Sequence, residues 1–261
     1  MGTVCVFVNQ KGGVGKTTSA INIGAYMAEA EKTVLLVDFD AQGNLSSGIG
    51  VKPPKPGIYE LLSGTATAEQ AVRKTAVKNL DVIPASLDLS GAAVELIDQK
   101  ERNFFLKKAL APIKDKYNYI LIDCPPSLGQ LTMNGLAAAD MVLIPMQCEY
   151  FAMEGLKQLL HTTKLIQKSL NPSLKIGGIF FTMYDPRTRL ANDVIKHISS
   201  IYKETVLNTI IPRNIRLSEA PSYGMPISLF DSQCPGARAY NALAQELIFR
   251  DAQAAGGTNG A

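Results

Sequence analysis

The sequence predicts an α/β fold, built on a mostly parallel, twisted sheet with helices on both faces. Three observations carry this. Apolar runs of strand length alternate with stretches of helical apolar spacing from one end of the chain to the other. The connections between consecutive runs are long enough to hold a helix, which makes the strands parallel and the crossovers right-handed. Residues that carry chemistry gather where the apolar runs stop: a glycine-rich loop after Val8, Asp38 and Asp40 after Val37, and Asp123 after Ile122. In a parallel sheet those ends share one crevice.

The elements follow in order. Val4 to Val8 is apolar and rich in β-branched residues, and reads as a buried strand. Ser19 to Ala28 carries apolar residues at helical spacing, and this unit ends near Ala30. Thr33 to Val37 is the second strand. Residues 50–57 hold three prolines and form an exposed loop, since proline donates no backbone hydrogen bond. Ile58 to Leu62 and Thr67 to Val72 read as short helices, and Leu80 to Pro84 as a short strand. Ser90 to Leu110 reads as one helix, anchored by Leu96, Phe104, Phe105 and Leu110. Asn118 to Asp123 is a third strong strand, stopped by Pro125 and Pro126. A helix from Leu131 to Ala139, a buried strand from Met141 to Pro145, a helix from Gly155 to Leu170 and a strand from Lys175 to Thr182 come next. Asp193 to Tyr202 is helical, Val206 to Ile211 a strand closed by Pro212, and Ala237 to Phe249 a final amphipathic helix. Residues 1–250 are expected to form a single domain. Residues 251–261, small and rich in Gly and Ala, are expected to form a flexible tail.

Composition narrows the function classes. With 261 residues the chain can bury a sizeable core in one large domain. Its net charge is only +3, so any nucleic-acid binding must come from a local patch. Cys5, Cys124, Cys148 and Cys234 are widely spaced with no C-x-x-C pair, which reads as buried reduced thiols in a reducing compartment. No apolar run approaches the ~18–20 residues that span a bilayer. Met1 leads straight into the first strand, so no signal peptide is expected.

The stretch from Val4 to Thr18 passes from strand through glycine loop into helix, the context of a phosphate-binding motif. Backbone N–H groups of Gly12, Gly13, Val14, Gly15 and Lys16 can surround phosphate oxygens. The start of the following helix adds its positive end. A lysine there opposes the dipole, so Lys16 needs an anion nearby. The Thr17 hydroxyl is placed to hold Mg²⁺, and Thr18 continues the junction. Lys11, among glycines, reads either as a solvated charge or as a ligand. Asp38 and Asp40 stand two apart and face opposite sides unless the chain turns; one of them can serve as a cap. Asp123 ends a fully apolar strand. Its alternatives are a helix N-cap and a Mg²⁺ site through water, the second preferred because Mg²⁺ keeps several waters and takes few carboxylates. His161 and His197 are isolated and read as helix-surface residues. No G-x-G-x-x-G follows the first strand, which disfavours a dehydrogenase.

The loop departs from G-x-x-x-x-G-K-[ST], carrying Gln10 where the first glycine belongs and then a second lysine. Lys11-Gly12-Gly13-Val14-Gly15-Lys16-Thr17 resembles the deviant Walker A motif of the ParA/MinD/nitrogenase-iron-protein ATPases. Asp38-Phe39-Asp40-Ala41-Gln42-Gly43-Asn44 is similar to the D-x-D-x-Q-G-N segment of the ParA/Soj branch. Asp123-Cys124-Pro125-Pro126-Ser127 is similar to its Walker B and switch II. Residues 212–222 resemble the branch's P-R-N-x-R-L-S-E-A-P-S segment. The resemblance covers about residues 1–250.

It implies a three-layer P-loop NTPase fold and an ATPase that uses ATP and Mg²⁺. Lys11 then matches the signature lysine, which reaches the partner's phosphates across a nucleotide-sandwich dimer. Its role parallels an arginine finger. By the same resemblance Asp40 positions or activates the attacking water, Asp38 lies near the Mg²⁺ shell with Thr17 and Asp123, and Pro212 and Asn214 pass the adenine. Lys11, Lys16 and Asp40 form the implied catalytic set. Residues 11–18 with Pro212 and Asn214 form the implied ATP site. Cys124 and Cys148 do not reproduce a cluster-ligand arrangement, so a reductase role is disfavoured.

A slow ATPase of this kind is a switch, closed as a dimer by ATP. The end of the chain, Arg250-Asp251-Ala252-Gln253-Ala254-Ala255-Gly256-Gly257, lacks the basic amphipathic helix by which MinD-like proteins lie on a membrane, so no membrane partner is expected. Arg187, Arg189, Lys196, Lys203, Arg213 and Arg216 cluster against Asp193 and Glu204. Such a run can be a solvated face. The resemblance raises DNA binding, because Arg189 and Arg216 fall where the branch carries DNA-contacting basic residues. The implied partners are a second copy of the chain, DNA bound without sequence preference, and a centromere-binding protein of the ParB type. The implied location is the cytoplasm, at the nucleoid. The alternatives are a cargo-positioning or MinD-like division ATPase acting on a scaffold or membrane, and a nucleotide-gated module with negligible turnover.

Overall fold

The computed structural model describes residues 2–52, 55–95 and 98–256. In chain order the elements are β1 Thr3–Phe7, α1 Lys16–Glu29, β2 Val34–Asp38, α2 Asn44–Gly48, α3 Ile58–Leu62, α4 Ala68–Ala71, β3 Arg73–Lys74, β4 Leu80–Ile83, α5 Leu89–Glu95 and α6 Phe105–Leu110. Then come β5 Tyr119–Asp123, α7 Gln130–Ala138, β6 Met141–Gln147, α8 Ala152–Ser169, β7 Lys175–Thr182, α9 Arg189–Ile201, α10 Ile215–Glu219, α11 Ile227–Phe230 and α12 Pro235–Gly256. The seven strands form one sheet in the order β3-β4-β2-β5-β1-β6-β7. Every pairing is parallel except that of the two-residue β3 with β4. The α/β prediction with helices on both faces is thus what the chain builds.

The period of two along the central strands sorts side chains into two cores. Val4, Val6, Leu35, Val37, Ile120 and Ile122 face one helical layer, together with Leu136 of α7 and Leu156 of α8. Cys5, Phe7, Val34, Leu36 and Leu121 face the other, together with Ile21 and Ile23 of α1 and Leu243 of α12. Central strands buried on both faces need apolar residues at every position, which is why they read as unbroken runs. α1 is fastened across its layer by Ser19 Oγ on Tyr240 Oη at 3.0 Å and by the Ile227 N–H donating to Asn22 Oδ1 at 2.7 Å.

α7 lies tight against the sheet at Gly135. A β-carbon there would sit 2.7 Å from Cys124 Sγ and 3.1 Å from Val6 Cγ2. Gly135→Val is therefore expected to cost about 1–3 kcal/mol of stability, read as a lower urea midpoint at unchanged slope.

Several sequence expectations need correction. The helix expected from Ser90 to Leu110 is two helices, α5 and α6, with Glu101 between them at φ 62. Leu96 lies outside the described residues. Phe104 and Phe105 are half-buried, while Leu106 and Leu110 carry the packing. Val206 to Ile211 is not a strand. It touches β7 through Ile179 N–H to Thr205 O and Leu207 N–H to Ile179 O, but the Asn208 and Thr209 N–H groups turn to the Glu246 carboxylate of α12. β6 runs on past Pro145 to Gln147, beyond the last β1 partner of this strand, with Asn9 Nδ2 donating to the Pro145 carbonyl. α2, α10 and α11 lie where no helix is expected. α12 continues to Gly256, so the tail expected from residue 251 is helical over 251–256, and 257–261 lie outside the described residues. Pro53 and Pro54 of the expected proline loop are also outside them.

Cys5, Cys124 and Cys234 are buried, Cys148 is half-buried, and all four are free. His161 and His197 are exposed on α8 and α9. Among the described residues no helix is long and apolar enough to cross a membrane.

Candidate functional site

The glycine loop joins β1 to α1, beside the sheet position where the chain first steps over a neighbouring strand. Gly13 (φ 72) and Gly15 (φ 89) are both in the left-handed region, which lets successive N–H groups turn to one side. The loop is held from behind by Thr182 Oγ1 donating to the Val14 carbonyl at 2.8 Å and Gln147 Nε2 donating to the Gly13 carbonyl at 3.0 Å. Lys16 opens α1 with its side chain almost fully buried, touching only the Lys11 carbonyl at 3.5 Å. Burial pulls its ammonium below the usual range, and Asp123, Cys124 and Asp40 pull it back.

The ends of β2 and β5 are in register, so Asp38 stands beside Asp123. Both carboxyls are buried. Asp38 Oδ2 accepts from Ser46 N–H at 2.8 Å and Ser46 Oγ at 2.6 Å, and its Oδ1 accepts a long bond from the Asp40 N–H at 3.3 Å. Burial raises it to about 6, against those hydrogen bonds. Asp123 is different. Neither of its oxygens completes a hydrogen bond within normal geometry. Burial, then the neighbouring Asp38 charge, push it up to about 8, while the Thr17 hydroxyl and Lys16 lean the other way. Past β2 the chain turns at Asp40, whose Oδ1 accepts from the Gln42 N–H at 3.1 Å and whose carbonyl accepts from Gly43.

A buried carboxylate pair with one member unpartnered, a threonine hydroxyl beside it and a nest of loop N–H groups fit a Mg²⁺ ion shared with a bound phosphate. Among the described residues no group of three His, Cys, Asp or Glu side chains could hold a metal alone. That suits an ion that keeps its waters and takes few protein ligands.

Further along the loop, Gly15 and Thr18 share a cavity of about 290 Å³ with Pro212, Asn214, Leu217 and Pro221. The Asn214 Oδ1 is buried and unpartnered. It presents an acceptor that a ring amine could meet. The phosphate loop and the segment two hundred residues away are thus brought together.

Lys11 is placed differently from the rest. Its side chain is half-exposed and paired with Glu149 of its own chain, with Gln147 Oε1 at 3.3 Å, while its N–H donates to Asn9 Oδ1. Arg189, at the start of α9, is fully exposed with Asp193 at 3.8 Å. Arg216 on α10 is held by Glu219 at 3.0 Å and Asp231 at 3.2 Å, over the Phe230 ring. Sequence reasoning missed Ser46, which fixes Asp38, and Glu149, which holds Lys11. Ser46 follows the D-x-D-x-Q-G-N segment by two residues, and only the fold turns it back onto β2. Thr182 and Gln147, which brace the loop, end two strands and carried no motif.

The chain matches the model of the AAA domain family over residues 2–176. It is 61% identical over 253 residues to the chromosome-partitioning ATPase Soj of Treponema pallidum, covering 97% of this chain and all of that one. It is 50% identical to the sporulation initiation inhibitor protein Soj of Bacillus subtilis, over 95% of this chain and 98% of that one. Among solved structures, the cobyrinic acid a,c-diamide synthase of Mycobacterium smegmatis with bound ADP and magnesium superposes with a TM-score of 0.83. It is 38% identical, over 95% of this chain and 94% of that one.

Proposed function

The chain belongs to the ParA/Soj family of chromosome-partitioning ATPases, and from that premise we propose that it is a Mg²⁺-dependent ATP switch. Its two states differ in dimerisation and in DNA binding. The observation that carries the ATP site is the buried, unpartnered Asp123 carboxylate set between Lys16, Thr17 and Asp38 at the mouth of the glycine loop.

The loop N–H groups and Lys16 hold the β- and γ-phosphates, and the 290 Å³ cavity takes the base, with Asn214 against the exocyclic amine of adenine. Thr17, Asp123 and Asp38 would hold Mg²⁺, which when bound would neutralise charge on the phosphate oxygens. Asp40 orients the attacking water. Lys11 leaves Glu149 and reaches the partner subunit's phosphates. An exposed pair of this kind is worth about 0.2–1 kcal/mol, so releasing it opposes dimerisation only slightly. Turnover is slow until a ParB-type partner accelerates it. The chain acts in the cytoplasm on nucleoid DNA.

Arg189 and Arg216, one pair per subunit, neutralise roughly four phosphates in a dimer. They alone give a slope of about −3.6 in log K against log[salt], and half that in a monomer. Anisotropy titrations of a labelled duplex over salt, with and without ATP, are the test. Equal affinity in both would sink the switch. Asp40→Ala is expected to keep ATP-dependent dimerisation and DNA binding while phosphate release falls at least about 100-fold; loss of the dimer with hydrolysis would remove Asp40 from the water-positioning role.

A further inference from the structure

Gln147 is the last residue of β6, in register with Thr182, the last residue of β7. These strand ends set its side chain between the glycine loop and the base cavity. Its one amide meets three groups. Nε2 donates to the Gly13 carbonyl and to Met183 Sδ, each at 3.0 Å, and Oε1 accepts from Lys11 Nζ at 3.3 Å. The partners fix which way the amide faces. A carbonyl oxygen and a thioether sulfur offer no proton, and an ammonium accepts none. Turning the amide over would set its oxygen against the Gly13 carbonyl and its N–H groups against the ammonium. Attraction would become repulsion at both ends.

Met183 is the unusual member of this group. Its φ is 52, in the left-handed region, which a residue with a long side chain keeps only where its surroundings impose it. They do so here. The Ile211 N–H donates to the Phe181 carbonyl at 2.9 Å, and the Tyr184 N–H donates to the Ile211 carbonyl at 3.0 Å. The backbone is thus tied to one residue on either side of Met183. The kink puts Met183 on the wall of the 290 Å³ cavity, with Gly15, Ile211 and Asn214. It is 40% exposed, and a methionine side chain turns readily about its three bonds. Residues strained in this way cluster at ligand sites.

Lys11 must leave its own chain to reach a partner subunit. Two side chains keep it there, the Glu149 carboxylate and Gln147 Oε1. Of the two, Gln147 is the one that touches the cavity wall, through Met183. A base seated in the cavity displaces the Met183 thioether, and Nε2 loses that acceptor. The terminal torsion of a glutamine is soft, so the amide follows and Oε1 moves off the ammonium. Lys11 is then left with Glu149 alone. A brace for the glycine loop would need only the Gly13 contact, which accounts for neither the sulfur nor the ammonium on the same amide.

We propose that Gln147 is a positioning residue through which a base lodged against Met183 loosens Lys11, so that pairing of two subunits depends on the base as well as on the phosphates. The inference rests on the ATP-switch reading given above and adds the base as a second condition for the dimer.

The test is the dimer dissociation constant of the full chain, measured by sedimentation with Mg²⁺ and either ATP or CTP. Each nucleotide is supplied at a concentration that fills the site, judged by displacement of a fluorescent ADP. Cytosine has a single ring and fills less of the cavity. The parent should dimerise at least about tenfold more tightly with ATP. Gln147→Leu leaves Lys11 with Glu149 whatever the base, so its CTP dimer should tighten to within about threefold of its ATP dimer. Met183→Leu keeps an apolar wall and removes the sulfur. Gln147 then stays on Lys11, and the ATP dimer should weaken toward the CTP level. Losing a brace would instead weaken both dimers by one factor, and that result in Gln147→Leu overturns the proposal. Equal constants for the parent with ATP and CTP also overturn it, and leave the ATP switch standing. A parent that forms no dimer with either nucleotide sinks the switch, and the proposal with it. If Gln147→Leu does not fold, judged by its thermal midpoint, Met183→Leu decides alone.

Discussion

Lys16→Ala is expected to lower ATP affinity by two to three decades, to the limit of detection by calorimetry. The side chain is buried at the mouth of the glycine loop, and its one intramolecular contact is long. Burial without a phosphate is unfavourable for the ammonium. The compensating interaction belongs to the ligand, and removing one member of a buried charge pair costs about 3–4 kcal/mol. The same reasoning says the fold survives, because Lys16 holds little of it. The thermal midpoint of the nucleotide-free variant should match or exceed that of the parent. A variant that binds ATP normally would overturn the assignment of the crevice.

Asp123→Asn carries the second large effect, and its sign depends on pH. The folded-state carboxyl is raised to about 8 from an ordinary value of 3.8. Between those values the folded chain keeps a proton that the unfolded chain has released. Without Mg²⁺ and nucleotide, stability is therefore highest below about pH 4. It falls as pH rises toward 8 and levels off above that. Asp38, raised to about 6, adds to the lower half of the decline. The variant cannot ionise at residue 123, though it leaves an unpaired amide in place of the carboxyl. A net gain of about 2 kcal/mol at pH 8 follows, or about 4–8 °C in thermal midpoint, vanishing below pH 4. With Mg²⁺ and ATP the order should invert, since only the parent offers the ion a carboxylate. Parallel pH profiles for the two proteins would refute the account.

Much of this site could be read from the chain because its parts are local. The glycine loop reads as a phosphate cradle from its residue types, and Gly13 and Gly15 take the left-handed region there. Asp38 and Asp123 are the last residues of five-residue strands that are otherwise apolar, and in a parallel sheet strand ends meet.

What escaped the sequence was decided by partners far away in it. Val206 to Ile211 has strand composition, yet Glu246 of α12 takes two of its N–H groups. Ser90 to Leu110 has helical spacing, yet α6 docks separately through Leu106 and Leu110. Asp38 reads as a metal ligand, and Ser46 already occupies one of its oxygens. Arg216 reads by resemblance as a DNA-contacting residue, and Asp231 and Glu219 hold it.

The sequence by itself determined the fold class, the phosphate loop and the family, because these rest on residue type and short-range spacing. The tertiary structure alone decided which charges are satisfied. It left Asp123 bare beside a bonded Asp38 and paired Lys11 with Glu149. Whether a charge is free depends on burial and on the few ångströms around it, and neither is encoded in the order of residues until the chain has packed.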